Sequence, residues 1–190
     1  MTPNSNYDIL YSKNNLKDFN MKTREEYLNY HCPRWEEFPD VELYADQVLS
    51  VIQRHVSFFE DTVEMSFTSN MINNYVKQKI VKPPINKKYD RVHLSYFTVV
   101  CLLKSLFSIS ELCNGIEFMM KTSTVKDLYG IFCEELEKAI KTVFAPDKFP
   151  KAPDKDCTKE LEIIRAACFA FASLVYTKHV IKEATEDNKE

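Results

Sequence analysis

Residues 69–94 read SNMINNYVKQKIVKPPINKKYDRVHL, and how this stretch folds decides the architecture of the chain. In a helix over 68–79, Ile72, Tyr75, Val76 and Lys79 share one face, while Ser69, Asn70, Asn73, Asn74 and Lys77 lie around the other. The stem of Lys79 can lie along the apolar side. Pro83 and Pro84 forbid continuation of that helix, INKK at 85–88 supplies a turn, and Asp90 is a good N-cap for the next helix. Three asparagines in one short helix cost local stability, which implies a return elsewhere.

Charge is concentrated in the same place. The chain is acidic overall, with net charge −3, yet Lys77, Lys79, Lys82, Lys87, Lys88 and Arg91 face only Asp90, a local net charge of +5. The acids lie elsewhere, notably in EEFPDVE and CEELE. Binding to a polyanion depends on local field rather than net charge, so the stretch is a candidate nucleic-acid site despite a pI near 5.9.

Downstream, RVHLSYFTVVCLLKSLF (91–107) is apolar almost all round and belongs at the centre of the core. Ser108 with Glu111, and Thr124 with Asp127, are helix-start signals that place two further helices near 109 and 125. The proline-bearing linker FAPDKFPKAPDKD precedes a last helix over 158–182, whose alanine-rich middle fits burial between helices or across a dimer interface. Upstream, a helix over 41–58, capped by Asp40, would place Val41, Tyr44, Ala45, Val48, Val51, Ile52, His55 and Val56 on one stripe. TREEYLNYH (23–31) reads as a short helix, and residues 1–22 as an extended or partly ordered arm.

Composition narrows the function classes. Only Gly115 and Gly130 are present, and neither belongs to a phosphate-cradling glycine motif. The six cysteines, Cys32, Cys101, Cys113, Cys133, Cys157 and Cys168, have no CxxC spacing and read as reduced core residues. His31, His55, His93 and His179 are scattered, so no metal site is expected. Glu134, Glu135 and Glu137 read as a charged helix face rather than catalytic carboxylates, and no enzyme activity or cofactor is expected. The polar start MTPNSNYDILYSKNN and the eleven-residue apolar run AACFAFASLVY suggest neither signal peptide nor membrane span, hence a soluble cytoplasmic protein.

Asparagine can pair bidentately with adenine in the DNA major groove, while lysine and serine suit phosphate oxygens. The order helix, polar helix, Pro-rich basic turn, tyrosine and new helix resembles the winged helix-turn-helix of MerR-type transcription regulators. Tyr75 falls on the second of that family's paired tyrosines, Ile80 and Val81 on its hydrophobic pair, and Lys88-Tyr89 on the end of its wing. FSISEL (107–112) falls on its closing segment. Asn73 and Asn74 stand where those proteins have Arg and the first Tyr, Lys79 stands on their glycine, and the wing is shortened. A closer resemblance, over residues 35–145, is to the bacterial group termed domain of unknown function 1836, carried by FPDVELYADQV (38–48) and MINNYVKQKIVKPP (71–84).

The expectation is therefore an all-α fold with at most a short β wing. Residues 1–40 would form the arm and short helix, 41–112 a winged helix-turn-helix, and 113–190 a helical dimerisation or effector region. The resemblance implies a transcription regulator of repressor type that binds double-stranded DNA as a homodimer, with a small-molecule effector left open. Its candidate DNA-binding residues are Ser69, Asn70, Asn73, Asn74, Tyr75, Lys77, Lys79, Lys82, Lys87, Lys88, Tyr89 and Arg91. The competing readings are an interaction module that docks an acidic partner and a helical protein that binds a small molecule.

Overall fold

A computed structural model describes residues 21–145 and 157–186. The expected arm, and most of the proline-bearing linker, lie outside the described residues. Among those described the protein is all-helical: α1 (Arg24–Leu28), α2 (Ala45–Val56), α3 (Ser69–Lys77), α4 (Arg91–Leu103), α5 (Ile109–Met119), α6 (Val125–Phe144) and α7 (Lys159–Glu186), with 3-10 turns at Trp35–Glu37 and Ser57–Phe59. Extended pairing is limited to two isolated bridges, Leu43 with Tyr89 and Ile85 with Lys88.

Local chemistry sets most of the helix starts. Thr23, Thr68, Asp90, Ser108 and Thr124 each accept a hydrogen bond from a backbone N–H three residues on. The start of α2 differs from the expectation. Asp40 does not cap it; Tyr44 occupies the N-cap position and its N–H donates to the Gln47 side chain at 2.9 Å. Leu43 is drawn into its bridge with Tyr89, so the chain is extended before the helix begins, and Val41 and Tyr44 are left 66% and 52% exposed. Val48, Ile52 and Val56 are the stripe residues fully buried.

The core is one continuous cluster that includes residues of all seven helices. α1 belongs to it: Tyr27 stacks on Phe144 of α6 with ring centroids 4.1 Å apart, and its hydroxyl donates to Asp61 at 3.2 Å. Most of α4 is buried, as its composition requires. α6 and α7 run parallel, since Thr122–Glu160, Phe132–Cys168 and Phe144–Tyr176 contacts advance together along both helices. α7 is longer than the sequence suggested, and over Lys159–Thr185 it is long and apolar enough to cross a membrane by length and composition. Its Ile164, Cys168, Phe171, Ala172 and Val175 are nevertheless packed into the protein core.

Candidate nucleic-acid interface

α3 is positioned by its apolar side. Ile72 and Tyr75 are buried, Met71 and Val76 half-buried, and the opposite face carries Ser69, Asn70, Asn73, Asn74 and Lys77, all exposed. The helix closes two residues before the expected end, in a Schellman arrangement: Lys79 N–H donates to the Val76 carbonyl and Ile80 N–H to the Tyr75 carbonyl, both at 3.1 Å. This requires a left-handed residue at position 79, and Lys79 has φ 61°. Ile80 and Val81 are then buried, locking the chain as it leaves the helix.

The basic turn follows. Asn86 and Lys87 both have positive φ (50° and 63°), the sign pattern of a two-residue type I′ turn, closed by Lys88 N–H donating to the Ile85 carbonyl at 2.9 Å. Tyr89 and Leu43 exchange two backbone hydrogen bonds at 2.8 Å, which pins the turn to the approach of α2. At its far side the turn is held by His93. Nδ1 of that ring lies 2.5 Å from Asp90 Oδ1, and Nε2 lies 3.2 Å from the Lys82 carbonyl oxygen. Partial burial opposes ionisation of Asp90, but its hydrogen bonds with His93 outweigh this and hold the carboxyl below its usual range.

The twelve candidate residues divide by placement. Ser69, Asn70, Asn73, Asn74, Lys77, Lys79, Lys82 and Lys87 are exposed, and Lys88 is half-buried with its ammonium 5.7 Å from the Tyr44 ring centroid. Two are corrected. Tyr75 and Tyr89 are only 2% and 6% exposed, and burial pushes the Tyr75 phenol up to about 12, so these rings are core residues that support the surface instead of forming it. Arg91 is engaged internally: Nε donates to the Phe38 carbonyl at 3.1 Å and the guanidinium pairs with Asp40 at 3.2 Å. The amide of Asn74 accepts from Gln78 at 3.0 Å, whereas Asn70 and Asn73 have no side-chain hydrogen-bond partner among the described residues.

Lys22, Arg34, Lys126, Lys138, Lys159 and Arg165 each have a carboxylate within 4.0 Å, but Lys77, Lys79, Lys82, Lys87 and Lys88 have none among the described residues. Cations without such a carboxylate also occur singly elsewhere among the described residues, at Arg24, Arg54, Lys104, Lys121, Lys141, Lys178 and Lys182, but only at this surface do five fall within one short stretch, 77–88. The carboxylates of the CEELE segment are tied up structurally, Glu135 by Lys138 and Arg165, and Glu137 by Arg34 and the Cys32 N–H. No cluster able to hold a metal ion occurs among the described residues.

Sequence reasoning missed Ile85, which is 71% exposed on the same turn as Lys88, whose ammonium lies over the exposed Tyr44 ring. Its place directly after Pro83-Pro84, on a turn that cannot be buried, was the available signal.

A family model described as domain of unknown function (DUF1836) matches residues 33–139, more than half of the chain and all of this surface. The chain belongs to that family. No curated protein and no solved structure matches it.

Proposed function

We propose that this member of the DUF1836 family binds duplex DNA through the exposed face of α3 and the basic turn, acting stoichiometrically as a transcription regulator. The observation that carries the reading is the uncompensated charge of Lys77, Lys79, Lys82, Lys87 and Lys88 beside the exposed asparagines of α3. Unpaired cations are the groups that release counterions on meeting phosphate, and asparagine can read adenine. The MerR-like character of the helix, turn and helix belongs to this proposal, as does pairing of two copies through α7, since one head of this size spans only a few base pairs.

Positioning and reading separate by residue. Changing both Lys87 and Lys88 to Ala should weaken binding to every sequence alike and flatten the salt slope by roughly two units. Asn73→Ala should cost about 1–3 kcal/mol on the preferred site and leave non-specific affinity nearly unchanged. Asn74→Ala should cost less, because its amide oxygen already accepts from Gln78. Titrations on a duplex selected from random DNA and on its scrambled form, at two salt concentrations, read all three. If folded variants bind as the parent does, the surface is not a DNA site.

A second reading has one specific observation behind it. Tyr44 and Ile85 place exposed apolar area next to the lysines, a mixture that suits an acidic protein segment with apolar anchors. Under that reading Ile85→Ser abolishes partner binding, and no duplex is selected from the random pool.

A further inference from the structure

Between one face of α4, from Ser95 to Leu103, and the first halves of α6 and α7, with α5 closing one side, lies a cavity of about 520 Å³. Val99, Ile116, Leu128 and Ala167 give one wall residue from each helix. Most of the polar groups in the lining are already used within the fold. Ser95 donates to the Val92 carbonyl at 2.8 Å, Tyr129 donates to the Pro33 carbonyl at 2.8 Å, and the Glu111 carboxylate accepts from Ser108 at the start of α5. The Tyr96 hydroxyl makes no hydrogen bond within the fold among the described residues and is open to solvent, so it stays free to meet a ligand.

Gly115 is the second observation. It stands inside α5, where glycine weakens a helix, and it lines the cavity. Nothing in the fold demands it: its φ is not positive, and a Cβ built there meets no atom within 4 Å. Its effect is to leave the cavity larger than any other residue would.

We propose that this cavity is a binding site for an uncharged, largely apolar small molecule with one group able to hydrogen-bond the Tyr96 hydroxyl. The volume lies in the range of small-molecule sites, and four helices of a single chain form its walls while it stays partly open to solvent beside Met120 and Ile163. Charge is matched by exclusion. The lining offers no cation to an anionic ligand, and Glu111, its single ionisable carboxyl, is occupied by the helix cap. The proposal does not depend on the DNA-binding reading, because its test contains no DNA.

The probe is N-phenyl-1-naphthylamine, which is uncharged and brightens in apolar surroundings; its anionic sulfonate relative is the comparison. The full chain should bind the neutral probe saturably at one equivalent and in clear preference to the sulfonate. Gly115→Leu and Val99→Phe, which each project into the cavity, should weaken that binding by about ten-fold or more, while Gly115→Ala binds nearly as the parent does. Circular dichroism and light scattering accompany each variant. Absence of saturable binding to the folded parent overturns the proposal, as does binding that both filling variants leave unchanged. A parent dimer that both filling variants convert to monomer also overturns it, because the cavity is then a seam between copies.

Discussion

Lys79 shows how a single position can serve two demands that oppose each other. The Schellman closure of α3 needs a left-handed residue, and any residue with a Cβ is held there at a cost of about 1 kcal/mol relative to glycine. Glycine would meet that geometry without strain; the lysine here gives up the conformational ease and adds a charge to the candidate interface. Lys79→Gly should therefore raise the unfolding free energy by about 1 kcal/mol and at the same time weaken DNA binding without sequence preference. Chemical denaturation and a duplex titration on the same preparation check both halves. A variant no more stable than the parent would show that the lysine side chain is compensated by a contact with the helix end.

The junction of the basic turn with α4 is where an element depends most on one carboxylate. Asp90 caps α4 through the His93 N–H at 3.1 Å, and the same His93 reaches the Lys82 carbonyl, so the cap and the shape of the turn are one arrangement. Asp90→Ala should cost about 1 kcal/mol, the usual loss for a removed N-cap. Because the folded carboxyl titrates below its unfolded value of about 3.9, this contribution is complete above that pH and is lost as pH falls through the folded value. The stability gap between parent and variant should thus be constant near neutrality and close only in strong acid, as denaturation at a series of pH values will show. Asp90 was legible from sequence as a cap, as were Ser108 and Thr124, because capping depends on side chains within three residues of the site they serve. The start of α2 was not, because Leu43 pairs with Tyr89 across 46 residues of chain and holds the approach extended. For the same reason Tyr75 and Tyr89 could be named as surface contacts: an aromatic ring in a basic stretch has the same local signature whether it faces solvent or the core. A small-molecule site among the C-terminal helices was an open reading, but the walls of the cavity were not legible, since they come from four helices whose separate apolar stripes say nothing about the space left between them.

At the scale of the whole molecule, α4 joins the two proposed sites. Its N-terminal cap holds the basic turn, much of it is core, and Tyr96, Val99 and Leu103 along one side line the cavity. The hydrophobic core is continuous from α1 to α7, so a displacement of α4 has no soft boundary at which to dissipate. A molecule in the cavity that shifts α4 along or about its axis must therefore move the Lys82 carbonyl contact and with it the lysines of the turn. Linkage then demands reciprocity: if the occupied protein binds its selected duplex more weakly or more tightly by some factor, the duplex must change affinity for the cavity ligand by the same factor. Couplings of this kind commonly lie between about 5- and 150-fold. The expected outcome is that saturating N-phenyl-1-naphthylamine changes the duplex affinity of the parent, that saturating duplex changes the probe affinity equally, and that Gly115→Leu shows neither change while still binding DNA. Equal duplex affinities with and without bound probe would mean that α4 is held rigidly by its core contacts, leaving two independent sites on one helix.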